Sequence, residues 1–380
     1  MSTSFKPRSP FSVLWTAPCI LAASMVIAWA AEAAQFFVAQ GVALAILAWL
    51  QTLPEFAVEA VLAWKQQTSL LLANLTGALR LLTGLGWPMI YAVAAYFHRR
   101  HTGNPMGAIR LAEEHAVEVV GLFAALAWGF VVWYKASLGL VDAGVLIVVY
   151  CAYLWVLRHM PAAAEEKVEE LELIPRAIVK APRRWRILAI VVLFCAGGVL
   201  IYATAEPFLA SLLALSTAVG VPNFVFVQWV APFVSEFPEK VSAFYWARTV
   251  ERASMALMNM VSSNINQWTL LAAMLPIVFS MSRGTVSAIP LDDRQSLELL
   301  LTLGQSLLSA FFLLKMRLEW WEAGALFGLW VIQFAFTTAV HDVVCAVYFL
   351  WSAAELVRFI RSGPPPAMRL FAEMWRRHVR

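Results

Sequence analysis

Long apolar runs, separated by short charged or turn-forming segments, fill most of this 380-residue chain. A helix of about 20 apolar residues crosses the hydrocarbon core of a bilayer. Runs of that kind predict spanning helices over 12–32, 36–64, 68–87, 115–134, 141–158, 187–204, 221–247, 250–281, 296–314 and 322–338. A run over 343–360 makes an eleventh. The second and seventh runs carry Pro54 and Pro238 in mid-span, so helix breaks are expected at 51–54 and 235–238. Pro88 is expected to kink the third helix, leaving a half-length apolar piece that ends at Phe97. The stretch Pro207–Val219 is apolar but only 13 residues long, too short to span unaided.

Each mid-span proline is followed by a carboxylate, in Thr52-Leu53-Pro54-Glu55 and Glu236-Phe237-Pro238-Glu239. A charge at mid-bilayer costs at least about 2.5–3.5 kcal/mol on insertion scales, so an intramembrane glutamate marks a functional site by default. Proline also removes one backbone N–H, which leaves the carbonyls of Leu50 and Val234 free to bind something other than their own helix.

The two motifs are 184 positions apart, Asn74 and Asn259 are 185 apart, and Val141-Asp142-Ala143-Gly144 precedes Trp321-Glu322-Ala323-Gly324 by 180. Glu32 and Glu206 fall near the ends of helices 1 and 6, where an interfacial place is expected for both. A repeat of five spans is odd, so its two copies face opposite ways, as in many secondary transporters. The expected fold is therefore an all-α integral membrane protein: two inverted five-helix repeats with broken helices 2 and 7. The expected divisions are 1–160 (first repeat, with the motif region about 36–87), 161–186 (connector), 187–340 (second repeat, motif region about 221–281) and 341–380 (extra helix and basic tail).

Composition agrees: 61% of residues are hydrophobic and 14% charged, against roughly 45–50% and 25% in soluble domains. Charge placement orients the chain. With the N-terminus outside, segments on the inner face hold 20 of the 28 Lys and Arg, and outer segments hold Lys6, Arg8, Lys65, Lys135, Arg283 and Arg294. That bias follows the positive-inside rule and puts the 161–186 connector and the C-terminal tail in the cytoplasm. Within the connector, Ala162–Glu172 is expected to be a solvated helix. The run from Phe11 to Ala31 is read as a retained helix rather than a signal peptide, because the repeat requires it. The net charge of +4 gives no reason to invoke nucleic acid, and the four cysteines lack metal-type spacing. No phosphate loop, metal-protease helix or nucleophile elbow is present, which argues against an enzyme.

The two repeats resemble the α-repeats of the cation/calcium antiporter superfamily, which includes the sodium/calcium exchangers. That family carries a Thr-Ser-x-Pro-Glu element on a broken helix and a Gly-Asn-x-x-Gly-Ser-Asn-x-x-Asn element on the next. Here the first repeat reads Gln51-Thr52-Leu53-Pro54-Glu55, then Ala73-Asn74-Leu75-Thr76-Gly77-Ala78-Leu79-Arg80-Leu81-Leu82. The second reads Ser235-Glu236-Phe237-Pro238-Glu239, then Met258-Asn259-Met260-Val261-Ser262-Ser263-Asn264-Ile265-Asn266-Gln267. The resemblance implies that Glu55 and Glu239 are the central cation ligands, supported by Gln51, Thr52, Ser235, Ser263 and Gln267. Carboxylates, hydroxyls and amides are hard oxygen donors, suited to calcium-like or alkali cations.

The chain departs from the family pattern where Ala78 and Leu82 replace donor residues, where Glu236 replaces a small hydroxyl residue, and where Lys240 follows Glu239. Positions 74, 78 and 82 share a helix face, about 40° apart, and Arg80 lies roughly 200° from position 78. Arg80 is therefore expected to turn away from the site, toward Glu118 or a carboxylate of another neighbouring helix. Glu59, one turn after Glu55, reads either as a second proton or cation carrier or as a partner of Lys65. His341-Asp342 reads as a polar turn before the last helix. The function expected is a secondary-active antiporter of the cell membrane, exchanging calcium or a monovalent cation against protons or sodium by alternating access. The alternative is a non-transporting scaffold or sensor that retains the fold. Neither reading requires a cofactor, and the expected partners are the lipid bilayer and inorganic cations.

Overall fold

The computed structural model describes residues 5–6, 8–37, 40–160, 168, 171–336 and 340–379. Seventeen helices follow in order: α1 (Val13–Ala34), α2 (Gln40–Gln51), α3 (Leu53–Trp64), α4 (Thr68–Leu81), α5 (Trp87–Thr102), α6 (Ala116–Tyr134), α7 (Leu140–His159), α8 (Leu173–Lys180), α9 (Arg183–Val219), α10 (Asn223–Ser235), α11 (Phe237–Arg248), α12 (Ala253–Asn266), α13 (Ala272–Arg283), α14 (Asp293–Leu313), α15 (Trp320–Ala335), α16 (His341–Ser362) and α17 (Pro366–His378). Among the described residues, eight continuous helical bodies are long and apolar enough to cross a membrane. The broken pairs α2/α3 and α10/α11, with the 16-residue α15, complete eleven spans. The chain is an all-helical, multi-pass membrane protein.

The inverted repeat is written into the connections. Strand β1 (Ala108–Arg110), between α5 and α6, pairs antiparallel with β4 (Arg317–Glu319), which precedes α15. Strand β2 (Ser137–Leu138), between α6 and α7, pairs antiparallel with β3 (Ile289–Pro290), which precedes α14. Each pair thus joins the third loop of one repeat to the fourth loop of the other. All four non-glycine residues found in the left-handed region fall into matched pairs, Gln66 with Val250 and Ala136 with Met316. A left-handed conformation costs roughly 1–2 kcal/mol for an L-residue, so its recurrence at equivalent turns reflects shared geometry. Asp142 accepts from the backbone N–H of Gly139 at 2.6 Å and pairs with Lys135. Glu322, its equivalent, accepts from the N–H of Glu319 at 2.9 Å and pairs with Lys315 at 2.6 Å. These N3 carboxylates cap α7 and α15 by the same device.

Several expectations are corrected. Helix α9 is one 37-residue body, not a span over 187–204 with a separate apolar piece. Pro207 lies inside it, because a membrane helix tolerates proline where neighbours satisfy the freed backbone. Helices α4 and α5 form one 35-residue span joined by a π-helical turn, Leu82–Gly86. The irregularity therefore precedes Pro88, and the helix continues to Thr102. The second repeat has its own π turn, Gln267–Leu271, between α12 and α13. His341 and Asp342 open α16 and are not a turn. The expected connector helix Ala162–Glu172 falls mostly outside the described residues. Beyond it, α8 is a short amphipathic helix that packs on α1 and α9.

The repeats interlock at the centre. In the first repeat, α2 lies against α12 and α3 against α13; in the second, α10 lies against α4 and α11 against α5. Each broken helix therefore rests on the long π-turned helix of the other half. Gly77 shows how closely: a β-carbon there would sit 1.8 Å from the carbonyl oxygen of Gln228. Small residues permit such approach where membrane helices must pack without a hydrophobic driving force. The outer surfaces of α1 and α9 show Leu14, Trp15, Val191, Val199 and Tyr202, an apolar face suited to lipid.

Candidate site between the broken helices

The two breaks have the same construction. Thr52 precedes α3 and Glu236 precedes α11, both with φ near −90° and ψ near zero (−84°, −3° and −93°, 2°). A proline occupies the second helical position after each, and Glu55 and Glu239 occupy the third. Both glutamates thus sit in the first turn of a half-helix, where the helix dipole favours negative charge. Without N–H groups, Pro54 and Pro238 cannot bond the carbonyls of Leu50 and Val234.

All seven residues implied by the resemblance are buried, at 4% exposure or less. Gln267, at the π turn, donates from Nε2 to Glu55 Oε2 at 2.7 Å and to Glu236 Oε1 at 2.8 Å. It therefore links the break of one repeat to the break of the other. Thr52 donates to the Trp49 carbonyl and accepts from Asn266 Nδ2. Gln51 Oε1 accepts from Asn259 Nδ2 at 3.0 Å. Ser235 donates back to the Ala231 carbonyl at 3.1 Å. The hydroxyl of Ser263 faces Glu239, yet neither carboxylate oxygen of Glu239 has a hydrogen bond of normal length. Glu236, Glu59 and Glu239 all lie close enough to Glu55 to act on it electrostatically, so the four carboxyl groups form one cluster.

Several contributors were not assigned to the site from sequence. Asn259, a motif residue outside the expected donor set, holds Gln51 across the repeat interface. Asn266 precedes the expected donor Gln267 and reaches Thr52. Glu59 does not meet Lys65: it accepts from Asn74 Nδ2 at 3.0 Å, while Lys65 pairs with Glu206 at 2.8 Å. Glu32, in the last turn of α1, is buried within the protein and accepts from Ser242 at 2.8 Å. Glu236 is held by Lys240 Nζ at 2.6 Å. Ala78 and Leu82 are fully buried at the positions equivalent to Ser263 and Gln267, so the first repeat offers no side-chain donor there.

Arg80 turns away from this site, as the helical geometry requires, but its partner is not Glu118. Its Nη2 meets Glu298 Oε2 at 2.6 Å, its Nη1 donates to Gln333 Oε1 at 3.2 Å, and its guanidinium lies 5.0 Å from the Trp229 ring centre. Glu118 faces His115 instead. Glu298 also accepts from Gln228 at 3.0 Å and pairs with His341 at 3.0 Å. Gln333 in turn donates to Tyr348 Oη at 2.6 Å. A second buried polar network therefore ties α4, α10, α14, α15 and α16 together, on the side of α4 opposite the cation-site candidates.

The unsatisfied atoms of the first region define its chemistry. Glu55 Oε1, Glu59 Oε2, Asn74 Oδ1, both oxygens of Glu239, Asn259 Oδ1, Ser263 Oγ, Asn266 Oδ1 and Gln267 Oε1 are buried without a hydrogen-bond partner. Asn264 Oδ1 adds a tenth oxygen, and against these stand two nitrogens of the same region, Gln51 Nε2 and Asn264 Nδ2. Buried acceptors left open cost free energy unless something supplies positive charge or donors. Among the described residues, no three His, Cys, Asp or Glu side chains converge in metal-binding geometry. Open carboxylate oxygens belong to Glu55 and Glu239 at the two breaks and to Glu59 one turn after Glu55, with neutral oxygens around them.

Comparison with known proteins bears on the family and the fold. The family model described as sodium/calcium exchanger protein matches residues 11–158 and 189–339. A sequence comparison with curated proteins finds no match. Among solved structures, that of the H+/Ca2+ exchanger CAX is 32% identical, with a TM-score of 0.87 over 97% of this chain and 91% of that one. The structure of native YfkE is 15% identical, with a TM-score of 0.63 over 89% and 92%. The sodium–calcium exchanger NCX_Mj is 18% identical, with a TM-score of 0.57 over 86% and 97%. With both repeats matched by one model and the whole fold shared, this chain belongs to the sodium/calcium exchanger protein family.

Proposed function

We propose that this chain is a secondary-active antiporter that takes calcium, or in its place a monovalent cation, in exchange for protons or sodium. The observation that carries the reading is the excess of buried, unpartnered oxygens over nitrogens around the two breaks. Such a lining attracts hard cations and repels anions. In this reading Glu55 and Glu239 are the central ligands and Gln51, Thr52, Ser235, Ser263 and Gln267 support them. Two carboxylates balance one divalent ion, two monovalent ions or two protons, and exchange follows from competition for the same oxygens. Calcium against protons is favoured by the 32% identity to a protein titled an H+/Ca2+ exchanger, against 18% to a sodium–calcium exchanger. The buried Ala78 and Leu82 remove two donors that additional sodium ions would use.

The reading includes orientation. The 161–186 connector and the C-terminal tail lie in the cytoplasm, and the five-helix units extend over 1–160 and 187–340. Calcium-dependent thermal stabilisation of the purified protein tests it. Calcium is expected to raise the melting temperature of the wild type and to leave Glu239→Gln unchanged. A wild type indifferent to calcium, sodium and pH would favour the non-transporting scaffold or sensor.

A further inference from the structure

Three carboxylates face the junction of the two breaks, and they are not equivalent. Glu55 keeps one oxygen open and Glu239 keeps both, whereas neither oxygen of Glu236 is open. Glu236 Oε2 lies 2.6 Å from Lys240 Nζ, one helical turn away, and Oε1 accepts from Gln267 at 2.8 Å. Both members of this ion pair are buried, Glu236 at 2% and Lys240 at 5% exposure. The first repeat has no such pair: its equivalent positions are the uncharged Thr52 and Phe56. Glutamate and lysine thus enter together, in one repeat only, as a unit of zero net charge.

We infer that Lys240 is a tethered counter-cation that holds Glu236 out of the ligand set, so that of the three glutamates at the junction the transported ion meets Glu55 and Glu239. An ammonium on a four-carbon stem supplies the point charge that a bound alkali cation would supply to the same carboxylate. Its effect on specificity follows from charge. With the pair intact the two breaks present two open carboxylates to a divalent ion, and Glu59 lies one turn further along α3; without the lysine the breaks present three. The assignment rests on the exchanger reading given above and adds to it which of the three glutamates is not a ligand.

The test is a cycle of four full-length proteins: wild type, Glu236→Gln, Lys240→Met and the double variant. Calcium affinity of each is read by equilibrium binding of radiolabelled calcium. Glu236→Gln strands an ammonium beside Glu239, and calcium affinity is expected to fall by about tenfold or more, since breaking one member of a buried pair leaves an uncompensated charge. The double variant removes both charges and nearly keeps both shapes, and its affinity is expected within about threefold of wild type, a ratio well inside one power of ten. Because it is neutral and near-isosteric, the double variant carries the test even where a single variant does not fold. If the double variant binds as poorly as Glu236→Gln, Glu236 is itself a ligand and the inference is overturned. If the wild type binds no cation, the exchanger reading fails instead. Melting temperatures across the cycle then decide the pairing: both single variants lowered and the double variant restored supports it, and additive losses overturn it.

Discussion

Replacing Arg80 by methionine separates the two buried polar regions that α4 touches. The substitution removes the 2.6 Å contact to Glu298, the 3.2 Å bond to Gln333 and the stacking over Trp229. Glu298 retains Gln228 and His341, but it loses its only arginine. Breaking a buried pair by removing one partner costs about 3–5 kcal/mol, and the lost cation–π contact adds about 0.5–2 kcal/mol. For a chain of this size that loss is expected to lower the melting temperature by at least about 5 °C. The double variant Arg80→Met with Glu298→Gln leaves no stranded carboxylate and is expected to recover most of it, since removing a buried pair whole is often close to neutral. Calcium binding should stay within about threefold of wild type, because Arg80 lies roughly 200° around α4 from position 78. The assay is differential scanning fluorimetry in detergent, beside calcium binding on the same samples. An unchanged melting temperature, or lost binding with stability intact, would refute the separation of the two networks.

Three further outcomes follow from the same geometry. Gly77→Ala would place a β-carbon 1.8 Å from the Gln228 carbonyl and should lower stability sharply, whereas Gly144→Ala, with nothing within 4 Å, should leave the thermal midpoint unchanged. Ala78→Ser with Leu82→Asn restores oxygen donors to the first repeat and should tighten sodium or calcium binding by several-fold, read by titration calorimetry; weaker binding would place these positions off the ion path. Single cysteines at Glu166 and Ser362, in a background without the native four, should resist an impermeant thiol reagent applied from outside intact cells. Labelling of either would contradict the proposed orientation.

The parts of the fold that were legible in the sequence are those written locally. Apolar runs of spanning length fix where helices lie, and a proline next to a glutamate in such a run is conspicuous because neither belongs there on hydropathy alone. The repeat was visible because Glu55 and Glu239, Asn74 and Asn259, and Asp142 and Glu322 keep nearly constant spacing. What failed was read from local rules that the membrane overrides. Pro207 and Pro88 looked like ends and kinks, yet both sit inside continuous spans because packed neighbours and a π turn absorb the lost bonds. Partnerships across the chain were out of reach. Glu298 lies 218 positions from Arg80, and Asn259 lies 208 from Gln51. Helical geometry gave the side of α4 from which Arg80 leaves, but which carboxylate waits there depends on how α14 and α16 pack. The roles of Asn266 and Glu236 depend likewise on the register between each broken helix and the long helix of the other repeat.

The central claim is that Glu55 and Glu239 form one cation site whose occupancy by protons and calcium is mutually exclusive. Its most direct test is calcium uptake driven by an imposed pH gradient, measured with radiolabelled calcium in proteoliposomes holding the wild type, Glu55→Gln or Glu239→Gln. Uptake by the wild type is expected to collapse when the gradient is dissipated and to be absent from both variants. Gradient-driven uptake that survives either substitution, or wild-type flux equal to that of empty liposomes, would contradict it.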